Sequence, residues 1–114
     1  MSGSPNVPEI EAAKLPDDAV LLDVREPDEW VAGHAPNAVH VPLGELAGRL
    51  GEVPATAGGE QLYIVCRSGG RSAQAAAALG QAGYPAVNVT GGMTAWALAG
   101  KPMASETGQP PEVA

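Results

Sequence analysis

Apolar runs too short to be helices alternate along this chain with stretches patterned like helices, and that alternation limits the fold more than any other feature of the sequence. The first run, Val20-Leu21-Leu22-Asp23-Val24, is nearly continuous, as in a strand covered on both faces. Val39-His40-Val41 stops at Pro42, Leu62-Tyr63-Ile64-Val65-Cys66 runs into a glycine-containing loop, and Ala86-Val87-Asn88-Val89 ends before Gly91-Gly92. Between them, the alanine-rich stretch from Ser72 to Ala82 predicts a helix capped by Ser72 and stopped by Gly83, with Ala75, Ala76, Leu79 and Ala82 on one face. Leu43, Leu46 and Leu50 recur at helical spacing before Pro54, Met93 to Ala99 predicts a last helix stopped by Gly100, and Asp28 to Ala32 a brief one ended by Gly33. Strands separated by helices need right-handed crossovers. The expected class is therefore α/β, a mainly parallel sheet with helices on both faces.

Composition narrows the choice of partners. A chain of 114 residues without repeat or linker predicts one domain, placed at residues 6–103, with the polar, proline- and glycine-containing ends 1–5 and 104–114 as flexible termini. Phenylalanine is absent, so the core must be built from Val, Leu, Ile and many alanines. A net charge of -7 repels a polyanion, and no nucleic-acid partner is expected. One cysteine and two histidines at wide spacing suit neither a disulfide scaffold nor a zinc fold. The first five residues have neither a basic region nor an apolar run, which sets the expected compartment as cytoplasmic. The uncharged stretch from Ser72 to Gly100 is broken by Gln74, Gln81, Pro85 and Asn88, and no membrane span is expected.

The chemistry concentrates in Cys66-Arg67-Ser68-Gly69-Gly70-Arg71-Ser72, a short loop between a strand and a helix start. Ligands of open α/β sheets bind at the carboxyl ends of strands. A thiol there, ringed by loop amides and the first turn of a helix, faces an anion nest, and Gly69 and Gly70 are expected to curl the backbone through positive φ. A thiol with a pKa of about 8.5 is only a few per cent thiolate at neutral pH. Lowering it to about 7 takes roughly 2 kcal/mol, more than a helix terminus supplies, so the amides and the charges of Arg67 and Arg71 are expected to supply the rest. The plainer reading is that Cys66 is an inert core residue at a strand end.

This loop resembles the active-site loop of single-domain rhodanese-like proteins, C-R-S-G-x-R-S. Asp23-Val24-Arg25-Glu26, Trp30 and Gly33-His34-Ala35-Pro36-Asn37-Ala38 resemble the same family's D-x-R element and G-H-I-P-G-A, with Ala35 and Asn37 departing from it. Gly91-Gly92 with Trp96 is similar to its closing G-G-x-x-x-W. The resemblance implies a rhodanese-like single domain with a five-stranded, mainly parallel sheet, its fifth strand at Asn6 to Pro8. It implies sulfurtransferase activity, with Cys66 as the catalytic residue that attacks thiosulfate or another small anionic sulfur donor and holds the sulfur as a persulfide until a thiol or cyanide removes it. Arg67, Ser68, Gly69, Gly70, Arg71 and Ser72 would then bind substrate, with no metal or organic cofactor. Asp23 and Arg25 are expected to support the neighbouring loop as a structural pair, and His34, His40, Trp30 and Trp96 to serve packing and hydrogen bonding. Two rivals stand beside this reading. One is a persulfide relay or binding module with a protein sulfur acceptor; the other is a phosphatase or arsenate reductase, whose C-x5-R loop would place arginine where this chain has Ser72.

Overall fold

A computed structural model describes residues 7–114. Five parallel strands form its sheet: β1 (Glu9–Glu11), β2 (Val20–Asp23), β3 (Val39–His40), β4 (Leu62–Val65) and β5 (Ala86–Thr90), in the order β1-β5-β4-β2-β3. Three α-helices accompany them, α1 (Pro27–Ala32), α2 (Gly70–Gln81) and α3 (Gly92–Leu98). From β2 the chain steps outward to β3, and from β4 it steps outward the other way to β5. The β2–β4 boundary is thus where strand order reverses, the place where a parallel sheet opens a crevice at its carboxyl edge.

Alternation along the central strands divides the core in two. Leu22 and Val24 from β2 and its extension, with Leu62 and Ile64 from β4, pack under Ala75, Ala76 and Leu79 of α2. Leu21, Val65 and Val89 face the opposite way, onto Met93 and Trp96 of α3. Cys66 continues the Leu62–Ile64 row and therefore falls on the α2 face, beneath the start of that helix.

Several expected boundaries shift for identifiable reasons. The fifth strand lies at Glu9–Glu11 rather than Asn6 to Pro8: Pro8 has no N–H to give a ladder and contributes only its carbonyl, which accepts from Asn88 N at 2.8 Å, while Asn6 lies outside the described residues. The Leu43 to Leu50 pattern forms two 3-10 segments, Leu43–Gly48 and Leu50–Glu52, in a stretch interrupted by three glycines. Ala82 is exposed just past α2 instead of sharing its buried face. The sequence places the domain's end near residue 103, but in the structure residues 104–114 run back along α1: Ala104 and His34 exchange backbone hydrogen bonds at 2.8 and 2.9 Å, and Glu106 N and Glu112 N donate to Val31 O and Ala32 O. His34 Nε2 also meets the Glu106 carboxylate at 2.7 Å.

Two contacts join the outlying helices to this frame. The first turn of α3 donates into the loop after β4, Met93 N to Cys66 O at 2.8 Å and Thr94 N to Arg67 O at 3.0 Å. The approach depends on Gly92, at φ +53°, where a Cβ would strike both of those carbonyl oxygens. Gly92→Ala should therefore combine left-handed strain with a backbone clash, a loss of about 2–4 kcal/mol, seen in a thermal melt as a midpoint lower by about 8–16 °C. An unchanged melt would show that α3 does not depend on this approach.

The second contact is an ion pair between α1 and α2, in which Arg71 Nη1 and Nη2 donate to Glu29 Oε1 and Oε2 at 2.6 and 2.8 Å. The Arg71 guanidinium pulls the Glu29 carboxyl from 4.5 down to about 2, against the upward pull of burial. A carboxyl lowered on folding stabilises the fold fully above its ordinary value and loses that contribution as pH falls through its folded value. Urea titrations should accordingly show this contribution fading between pH about 4.5 and pH about 2. Arg71→Ala should lack that part of the acid dependence and be about 1 kcal/mol less stable near neutrality, because the pair is only partly shielded. An identical acid profile in the variant would contradict the pairing.

Candidate active site

Cys66 follows β4, the middle strand, at the carboxyl edge of the sheet, and is only 1% exposed. The geometry of the loop after it follows from peptide planarity. In a trans peptide the C=O and the next N–H point in opposite directions, so the carbonyls of Cys66 and Arg67, held by α3, turn the amides of Arg67 and Ser68 away from α3. Gly69, at φ +116°, then bends the chain into α2 as the residue capping its start, and its N–H lies 3.0 Å from Cys66 Sγ. The Ser72 hydroxyl lies 3.3 Å from the same sulfur.

Burial pushes the Cys66 thiol up, but the Ser72 hydroxyl and the amides of Ser72, Gly69 and Ser68 outweigh it, leaving the thiol below its ordinary value. Hydrogen bonds to the charged form therefore provide the leading stabilisation. The site is suited to hold a sulfur anion at the floor of a small ring of donors, and the same ring can accept negative charge that develops beside Sγ.

The loop residues differ from one another in ways the sequence did not separate. Gly70 opens α2 and is not at positive φ; of the two expected glycine bends only Gly69 is one. Ser72 is not the cap of α2 but lies in its first turn, fully buried, its hydroxyl reaching both Cys66 and Asn88. Arg67 is exposed and, among the described residues, in no ion pair, whereas Arg71 spends its guanidinium on Glu29. The two arginines are thus not equivalent contributors of charge to the thiol. Ser68 is exposed at the loop's outer side.

Asp23 and Arg25, both 0% exposed, form an ion pair at the end of β2, with Arg25 Nη1 buried and without a hydrogen-bond partner among the described residues. Arg25 Nε and Nη2 donate to the Asp23 carboxylate at 2.8–3.1 Å, and Nη2 also donates to Gly33 O at 2.7 Å, which ties β2 to the end of α1. This is the geometry of a structural brace. Trp30 stacks between His34, with centroids 3.6 Å apart, and His40 at 4.8 Å. The His40 ring meets Arg25 O at 2.8 Å, His34 Nδ1 meets Ala35 O at 2.9 Å, and Trp96 donates to Pro102 O at 2.9 Å.

Two residues of this neighbourhood escaped the sequence reading. Glu29, the partner of Arg71, lies 42 positions before it, and nothing local announces that pairing. Asn88 is 2% exposed in β5, on the row of Ala86, with Ser72 Oγ at 2.6 Å from its Oδ1. Its signal was visible as the single polar residue inside an apolar strand run, because a buried amide must find partners.

Comparison with known proteins agrees with this geometry. Residues 8–99 match the model of the rhodanese-like domain. A sulfurtransferase of Allochromatium vinosum is 40% identical over 93 residues, which cover 81% of this chain and 84% of that protein. Thiosulfate sulfurtransferase 16 of Arabidopsis thaliana, chloroplastic, is 33% identical over 97 residues, covering 71% of this chain and 76% of that one. The crystal structure of a rhodanese-related protein from Thermoplasma volcanium superposes with a TM-score of 0.75 at 32% identity, over 85% of this chain and 97% of that one. With a matched domain over most of its length and the same five-stranded fold, the chain belongs to the rhodanese-like sulfurtransferase family.

Proposed function

We propose that this sulfurtransferase moves a sulfane sulfur from thiosulfate or a persulfide donor to cyanide or a thiol, through a persulfide on Cys66. The observation that carries the reading is the single cysteine at the floor of the loop, with the Gly69 amide at 3.0 Å and the Ser72 hydroxyl at 3.3 Å from its sulfur. In the first half-reaction the Cys66 thiolate attacks the outer sulfur of thiosulfate. A new S–S bond forms as the donor's S–S bond breaks, and the electron pair of the broken bond leaves on sulfite. The negative charge carried by Sγ moves to the terminal sulfur, where the loop amides receive it. In the second half-reaction the acceptor attacks that terminal sulfur and returns the thiolate, so atoms and charges balance without an outside oxidant or a cofactor.

Roles for the loop residues follow from their surroundings. Arg67, exposed and unpaired among the described residues, draws the anionic donor to the mouth of the loop. Arg71, tied to Glu29, fixes the start of α2 and with it the Ser72 amide and hydroxyl. Gly69 and Gly70 keep the ring free of side chains, and Asp23 with Arg25 holds the adjacent strand end. The name of the Arabidopsis relative supports thiosulfate as a donor. The loop count favours sulfur over phosphate transfer: Ser72, not arginine, stands six residues after Cys66 and touches the sulfur.

Treatment of the protein with thiosulfate should add the mass of one sulfur atom, and cyanide should remove it. Cys66→Ser should fold normally yet show neither the mass change nor turnover, and the native protein should give parallel double-reciprocal lines for donor and acceptor. Turnover in the serine variant, or intersecting lines, would refute a covalent sulfur on Cys66.

The arginines should separate in steady-state kinetics. Arg67→Ala should raise KM for thiosulfate by about threefold to tenfold, flatten its dependence on ionic strength and leave kcat nearly unchanged. Arg71→Ala should lower kcat while KM keeps its ionic-strength dependence. Equal effects of the two substitutions on KM would show that the pairing of Arg71 with Glu29 does not withdraw its charge from the donor.

A further inference from the structure

We propose that Asn88 is a positioning residue for sulfur transfer, directing the single proton of the Ser72 hydroxyl so that Cys66 is favoured in its sulfur-loaded form. The inference rests on the reading of Cys66 as the sulfur carrier. Asn88 lies in β5, two strand positions from Ala86 and on the same face, which puts its amide against the first turn of α2. Its orientation is fixed by what surrounds it. Nδ2 faces two groups that only accept, the Glu9 carboxylate at 3.0 Å and Gly69 O at 3.3 Å, so Oδ1 is the atom turned to Ser72. The Ser72 Oγ to Asn88 Oδ1 distance is 2.6 Å, and a carbonyl oxygen can only accept.

Ser72 Oγ is therefore shared by two claimants but has one proton. With that proton on Asn88, the hydroxyl turns its lone pairs to Cys66 Sγ, 3.3 Å away, an arrangement in which an S–H can donate to them and an uncharged bridging sulfur, which needs no donor, loses little. For a thiolate the proton must swing to Sγ, which leaves two oxygens with no hydrogen between them at 2.6 Å. Turning the amide over does not relieve this, because its oxygen would then face the Glu9 carboxylate and Gly69 O. Asn88 thus opposes the charge on Sγ itself.

The consequence appears when the thiolate takes a sulfur. As the new S–S bond forms and sulfite leaves with the electron pair of the broken one, the charge passes from Sγ to the terminal sulfur. The Ser72 proton then swings back to Asn88, with no proton gained or lost. Loading restores the preferred hydrogen bond and unloading breaks it, so Asn88 biases the enzyme toward carrying sulfur.

The design of the site allows a clean test, since removal of Asn88 orphans little: Gly69 O also accepts from Ala73 N at 3.1 Å, and Glu9 is at the surface. The pH dependence of alkylation by iodoacetamide is measured for the native protein, Asn88→Leu, Ser72→Ala and the double variant. Asn88→Leu should move the midpoint to lower pH, raising the thiolate fraction at a fixed pH below it by about threefold to tenfold, the usual worth of one such hydrogen bond. Ser72→Ala should move it to higher pH, and in that background Asn88→Leu should have no further effect. At a fixed ratio of thiosulfate to sulfite and a pH above the midpoints of both proteins, where free Cys66 is thiolate, the ratio of persulfide to free Cys66, read by mass, should fall in Asn88→Leu by a similar factor.

A merely structural Asn88 would act equally with and without Ser72, and that outcome, or a midpoint that stays or rises in Asn88→Leu, overturns the proposal. Should the leucine variant lose its circular dichroism spectrum, Asn88→Ala removes the same acceptor without bulk and carries the same expectation. A native protein that takes up no sulfur from thiosulfate would instead refute the persulfide reading, which the alkylation cycle does not depend on.

Discussion

Two hydrogen bonds from the first turn of α3 to the carbonyls of Cys66 and Arg67 decide the shape of everything around the thiol. With those oxygens held on one side, planar trans peptides turn the following amides to the other. Gly69 then carries the chain through a left-handed bend into α2, whose early turn brings the Ser72 hydroxyl and amide to the same sulfur. The site is thus built from backbone dipoles set by the packing of a neighbouring helix, and Gly92 is the residue that lets the helix come close enough.

Stabilising a thiolate in this way has a different character from doing so with charge. A guanidinium beside the sulfur would favour any anion nearby and weaken with salt, whereas a ring of oriented amides favours negative charge only at one small position. Arg71, which the sequence invites one to treat as the counter-charge, is held in an ion pair by Glu29. Arg67, by contrast, is exposed and, among the described residues, in no ion pair. On the proposed reading, attraction of the donor and stabilisation of the sulfur anion fall to different groups, with Asn88 as a proposed third influence through its 2.6 Å contact with the Ser72 hydroxyl.

Much of this was legible in the chain. β2 and β4 are buried on both faces, so they read as continuous apolar runs, and the step from Cys66 through two glycines to an alanine-rich helix marks the loop. β1 was harder because it is an edge strand of only Glu9-Ile10-Glu11, where charge on both sides of one half-buried isoleucine hides the pattern. Side-chain assignments within the loop were the least accessible. Spacing could say that Ser72 begins a helix, but not that it sits in the first turn rather than at the cap, a difference that turns its hydroxyl toward Cys66. Nor could it say that Arg71 meets a carboxylate 42 residues away. Tertiary contacts fix both, and the apolar periodicity records only burial.

The central claim is that hydrogen bonds from the loop and Ser72 outweigh the cost of burying Cys66 and hold its thiol below its ordinary value. The chain has one cysteine, so the ultraviolet absorbance of the thiolate, followed against pH in the folded native protein, reports on that residue without interference from another thiol. The account predicts a midpoint clearly below the value of about 8.5 of a free cysteine. A midpoint at or above that value, as for a cysteine buried in apolar surroundings, would contradict it.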